Sequence, residues 1–200
     1  MKNLTIILTL VICLFFTSSC NNNINSNNTI TDTKTKKVVT VGQKNIELEL
    51  TNLLNNKVSI LIPKSFNIMS EEMSKLKYPS ENRPSLIYTN EDGSINVAFN
   101  HTTSKTTNSN ISQYKDYLKG TFKNLYPSAT WYGDGTLKLN GKNVGFLELL
   151  TPAIDTKVYN LIFFTELENR LLLVTFNCTE EEMKDWKPIA KEIMNSITIN

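Results

Sequence analysis

Two short runs constrain the fold more than any other feature of this chain. Leu161-Ile162-Phe163-Phe164 and Leu171-Leu172-Leu173-Val174 are each apolar at four successive positions. Side chains alternate across a strand, so a strand that is apolar at consecutive positions is buried on both faces. The runs therefore predict central strands with cover above and below. Two segments can supply it. Ile111, Tyr114, Tyr117, Leu118, Phe122 and Leu125 recur at helical spacing up to Pro127, and Trp186, Ile189, Ala190, Ile193, Met194 and Ile197 form a second stripe near the end of the chain. For the second helix, Thr179 and Glu182 have capping-box spacing, and Pro188 predicts a break near Asp185 with a fresh helix from Trp186.

The remaining elements read as hairpins. Ile46, Leu48 and Leu50 alternate with Glu47 and Glu49, Asn55-Asn56 make a turn, and Val58, Ile60 and Ile62 return to Pro63. Ser70 to Lys77 suits a short helix. Ser85 to Tyr88 and Ser94 to Phe99 flank a turn whose Gly93 supplies a positive φ. His101 to Asn110, mostly Thr, Ser and Asn, reads as a surface loop. Asn140-Gly141 is a strong turn signal between Leu137-Leu139 and Val144-Leu150. Lys157 to Thr165 and Arg170 to Phe176 follow. Without alternating strand-helix units the sheet is expected to be largely antiparallel. The expected class is α+β, with helices on both faces of the sheet.

The first residues give an address. Lys2 precedes Leu4 to Phe16, thirteen residues interrupted only by Thr5 and Thr9. A membrane span takes roughly 20 apolar residues, whereas this length followed by Thr17, Ser18 and Ser19 suits a cleavable export signal over 1–19. Small residues directly before Cys20 resemble the lipobox of bacterial lipoproteins, with Thr17 standing where leucine is usual. In such proteins the cysteine thiol carries diacylglycerol, so Cys20 is expected to be lipidated and to hold the chain on a membrane. Ordinary cleavage, leaving Cys20 a plain thiol, is the alternative. Residues 20–44, rich in Asn, Thr and Lys, lack the apolar content to offset their ordering entropy. They read as a flexible tether ahead of a domain spanning 45–200.

Composition excludes several function classes. Removing 1–19 takes away one lysine and no acid, so 21 basic and 19 acidic residues become 20 and 19. That balance and the lack of a dense basic cluster argue against nucleic acid. His101 is the single histidine, and no Cys or His lies at zinc-binding spacing, so no metal site and no cofactor are expected. Cys178 ends an apolar strand, where a thiolate is disfavoured, and a Cys178–His101 dyad has little support. Glu180, Glu181 and Glu182 sit where a helix start accepts negative charge. No catalytic set emerges, and the chain is expected not to be an enzyme. One aromatic group is a candidate partner or ligand surface: Trp131 and Tyr132 before Gly133-Asp134-Gly135, together with Tyr159. Phe163 and Phe164 are read as core.

The segment Ile62-Pro63-Lys64-Ser65-Phe66 after an early strand, the Glu91-Asp92-Gly93 hairpin and the ending Trp186 to Ile197 with Asn195-Ser196-Ile197 resemble the PsbP-like and DcrB-like proteins. The likeness covers roughly residues 45 to 200. It implies an α/β/α sandwich around an antiparallel sheet, in a family that includes bacterial lipoproteins, a photosystem II extrinsic subunit, a Ran-binding import factor and chaperones of secreted effectors. That range implies a binding scaffold, and no functional residue carries over from it. Together these readings point to a non-enzymatic domain anchored by lipid in the bacterial cell envelope and binding a protein partner. The alternative is a small apolar ligand or lipid held between the sheet and the Ile111 to Tyr126 helix.

Overall fold

The computed structural model describes residues 36–200. The expected export signal, Cys20 and the first part of the expected tether lie outside the described residues. In chain order the elements are β1 (Lys36–Val41), β2 (Lys44–Leu53), β3 (Val58–Pro63), β4 (Asn67–Ile68), α1 (Glu71–Lys77), β5 (Leu86–Thr89) and β6 (Asn96–Lys105). They continue with α2 (Ile111–Leu125), β7 (Thr130–Leu139), β8 (Lys142–Pro152), β9 (Lys157–Leu167), β10 (Arg170–Thr179), α3 (Met183–Asn195) and β11 (Thr198–Ile199). The strands form two antiparallel sheets, β1-β2-β3-β11 and β4-β5-β6-β10-β9-β8-β7.

The two apolar runs occupy β9 and β10, near the middle of the larger sheet, and each divides its residues between two cores. Phe163, Leu172 and Val174 join one core with α3 and the inner residues of the smaller sheet. Ile162, Phe164 and Leu171 join another beneath α2. The α+β class, the antiparallel pairing and the helices on opposite faces are as expected. The second sheet was not anticipated.

Glycines on β7 and β8 set how closely rings can lie on the sheet. Gly145 sits directly across from Phe164, and Gly135 across from Phe146. A Cβ on Gly145 would fall 2.6 Å from Phe164 Cζ, and one on Gly135 3.0 Å from Phe146 Cε1. In each pair the ring occupies the space that a side chain would fill.

Four local expectations are corrected. The tether was expected to run to residue 44, but Lys36–Val41 is a strand that pairs residue for residue with β2. Only Val39 and Val41 on it are half-buried, so β2's backbone, more than burial, holds β1 in place. Likewise His101 to Lys105 is the outer half of β6, paired with β10, instead of a loop. The expected capping box does not form: Thr179 ends β10, Glu182 is the helix N-cap, and no side chain caps it. Nor does the helix break at Pro188. That residue is exposed, while Trp186, Ile189, Ala190, Ile193 and Met194 are buried in one stripe. Their packing offsets the roughly 3 kcal/mol that an interior proline costs.

Candidate functional site

The aromatic group expected from sequence is divided between the two faces of β7. Trp131 turns toward α2 and is half-buried in its core. The register shifts between Trp131 and Gly133, a bulge that leaves Tyr132 as the extra residue. Tyr132 is 39% exposed, with its ring 6.3 Å from that of Tyr159. Tyr159 itself is fully buried and offers no surface, contrary to expectation. It projects from β9 into the core that α3 covers, and that layer encloses it. Tyr159 instead belongs to an aromatic series that runs inward through Phe176 and Trp186 to Phe66.

The group that holds Tyr132 was not anticipated from sequence. Glu148 is the single acid in the apolar part of β8, and its side chain is only 5% exposed. It accepts a hydrogen bond from Tyr159 Oη at 3.0 Å and pairs with Lys187 Nζ at 2.8 Å and Lys191 Nζ at 3.4 Å, both from α3. The Lys187 ammonium also lies 4.1 Å from the centroid of the Tyr132 ring. Burial alone would raise the Glu148 carboxyl. The hydrogen bonds from Lys187 and Tyr159 and the charges of Lys187 and Lys191 outweigh it and hold the group below the usual carboxylate range. Burial, with the Glu148 charge beside it, pushes the Tyr159 phenol far up. The available signal was a lone Glu among apolar residues facing a helix with lysines at i and i+4.

A group whose folded pKa is depressed adds stability above its unfolded pKa and loses it as pH falls through the folded value. Glu148 should therefore steepen the loss of stability below about pH 4.5. Glu148→Gln should cost about 1–3 kcal/mol at neutral pH and flatten the acid limb, read from urea melts across pH 3 to 7.

β7 is the outer strand of its sheet, so one side of its backbone is open over ten residues. On the face that α2 covers, Lys119 and Lys115 of α2 reach Asp134 at 2.6 and 3.3 Å and fix the helix against the strand. Tyr132 and the exposed Leu137 flank Gly133 and Gly135 along this edge. Tyr132 thus stands exposed beside the Lys187 ammonium, with Leu137 exposed five residues further along the same edge.

The other sequence candidates lie apart. Cys178 is opposite Tyr159 on β10, whereas His101 is opposite Leu172, six residues away. At 3.4 Å per residue the two are on the order of 20 Å apart, so they form no dyad. Burial also raises the Cys178 thiol far above its ordinary range. His101 bonds the Leu167 carbonyl through Nε2 at 2.9 Å, and its Nδ1 lies 3.1 Å from Arg170. Glu180 and Glu181 are exposed at the start of α3, and Glu180 pairs with Lys157 at 3.1 Å. Among the described residues no cluster of His, Cys, Asp or Glu is placed to hold a metal ion.

A cleft of about 260 Å³ lies beside α2, where the alternative reading placed an apolar cavity. Its floor is Leu118, Phe122, Leu171 and Leu173, and its wall is the polar half of β6. That polar wall explains why His101 to Ser104 reads as a loop: here the strand has left the core.

No protein-family model matches the chain, and no curated protein matches it by sequence. Solved structures do. The solution structure of cyanobacterial PsbP (CyanoP) from Synechocystis sp. PCC 6803 superposes with a TM-score of 0.53 at 13% identity, over 76% of this chain and 92% of that one. The fold is PsbP-like. LpqN of Mycobacterium tuberculosis, described as involved in cell envelope biogenesis, gives a TM-score of 0.43 at 13% identity over 84% of this chain and 92% of its own. In this PsbP-like chain, Tyr132 and its Glu148–Lys187 support lie at the outer edge of the sandwich, on β7. Among the described residues no helix is long and apolar enough to cross a membrane.

Proposed function

We propose that this chain is a lipid-anchored, non-enzymatic domain of the bacterial cell envelope that binds a protein partner along β7. The observation that carries the partner reading is the open ten-residue edge of β7, with Tyr132 held beside it by a bulge and by Lys187. An edge strand of this length offers unpaired N–H and C=O groups to an added strand, and flanking side chains give selectivity. Tyr132 is the anchor, since tyrosine contributes large contact area at low entropic cost. The export signal and the Cys20 lipobox support the envelope address. The burial of Cys178 and its distance from His101 support a non-enzymatic role.

A photo-crosslinker replacing Leu137 should trap one specific partner in intact cells, and the same group at Tyr117, on α2, should trap none. Tyr132→Ala should weaken that complex at least tenfold, about 1.4 kcal/mol, while leaving the melting temperature within a few degrees. Crosslinking that is equal at both positions would refute the β7 surface. The anchor has its own readout: wild type should stay with membranes through a high-salt wash, and Cys20→Ser should not. Wild-type protein released by the wash would refute lipidation without bearing on β7.

A further inference from the structure

We propose that the cleft between α2 and the segment around Arg83 binds a small monocarboxylate carrying a short apolar stem. This inference is independent of the β7 reading. The floor is apolar, contributed by Leu118 and Phe122 from α2 and Leu171 and Leu173 from β10. α2 packs mainly over β7 and β8, so Leu171 of β10 lies at the margin of its core and the polar half of β6 borders the cleft beyond it. A cleft of about 260 Å³ is smaller than the roughly 300 to 1,000 Å³ of drug-sized pockets, so the ligand must be small.

The wall supplies the polar end of the recognition. Arg83 Nε donates to the Ser80 carbonyl at 3.2 Å, which orients the guanidinium. Ser85, two residues on, joins the sheet through the Phe99 carbonyl at 3.0 Å. Arg83 and Asn100, the residue after Phe99 on β6, both border the cleft. The terminal nitrogens of Arg83 make no hydrogen bond among the described residues, although the Glu71 carboxylate is near enough for the two charges to attract each other. A guanidinium whose terminal N–H groups are not hydrogen-bonded matches a carboxylate in two parallel hydrogen bonds. Thr102 keeps its hydroxyl on the Leu171 carbonyl and closes the wall. Glu81 also borders the cleft, but it is exposed and free to turn toward water. An apolar floor beneath one oriented guanidinium selects an anionic head on a stem of a few carbons. A long acyl chain exceeds the space.

The full-length protein in detergent, methyl-labelled at leucine, is titrated with sodium hexanoate, hexan-1-ol or hexylamine and followed by NMR. Hexanoate should produce saturable shifts at Leu118, Leu171 and Leu173, with Leu137 on β7 unmoved. The alcohol and the amine should bind at least tenfold more weakly. Arg83→Gln should weaken hexanoate at least tenfold while leaving the other methyl signals in place. Hexan-1-ol binding as well as hexanoate would overturn the proposal without any variant. So would the absence of saturation at about ten times a millimolar dissociation constant.

Discussion

Phe163→Ala is expected to lower stability by about 3–5 kcal/mol, the range for emptying a large aromatic side chain from a packed core. Phe163 is fully buried on β9, where it lies across from Val174 on one neighbouring strand and Phe146 on the other. Its ring belongs to the core shared by α3 and the smaller sheet. At roughly 2–4 °C per kcal/mol for a chain of this size, the melting temperature should fall by about 6–20 °C. Urea denaturation followed by Trp fluorescence measures the loss directly. Trp186 reports on the same core, since it stacks on Phe176 and lies tilted against Phe66. A loss under about 1 kcal/mol would mean that the site collapses around the truncation or that the layers are less closely packed than described.

The second large effect comes from adding atoms. Gly145→Ala would place a methyl group 2.6 Å from Phe164 Cζ, and Phe164 is fully buried beneath α2. The ring cannot rotate into solvent, and β8 is paired on both sides, so its backbone cannot retreat. Overpacking of this kind costs about 1–3 kcal/mol. Phe164→Leu alone should also destabilise, but in the double variant the shorter side chain vacates the position that the new methyl needs. The two changes should therefore combine to a smaller loss than their sum, with a coupling of about 1 kcal/mol or more. Strict additivity in the urea melts would show that the ring and Gly145 are not in contact.

The two variants also differ in where they act. Phe163 and Phe164 are adjacent in sequence yet serve opposite cores, one beneath α3 and one beneath α2. The consecutive apolar run required this division, because a strand cannot turn two neighbouring side chains to the same side. Burial of Phe163 and Phe164 was therefore legible from the sequence. The burial of Tyr159 was not, because a tyrosine fits a pleated surface on either the wet or the dry side, and only the packing of α3 over that face of β9 decided the matter.

The same distinction separates the rest of what the sequence by itself determined from what the tertiary structure decided. Asn140-Gly141, with φ of 46° and 84°, forms the hairpin its residues demand, and the α2 stripe forms the helix its spacing demands. The antiparallel class followed from such local turns. These features rest on backbone sterics and on periodicity within a few residues, so they are readable from neighbours in the chain. β1, the outer half of β6 and the passage of α3 through Pro188 depended on partners brought from afar. Lys36 to Val41 has little burial of its own and becomes a strand because β2 satisfies its backbone. His101 to Lys105 is polar on both faces and is held extended by β10. Glu148 reads as an isolated acid until α3, from a segment some forty residues on, brings Lys187 and Lys191 against it. Hydrogen-bond satisfaction and charge pairing between distant segments carry no local periodicity, and only the assembled sandwich could reveal them.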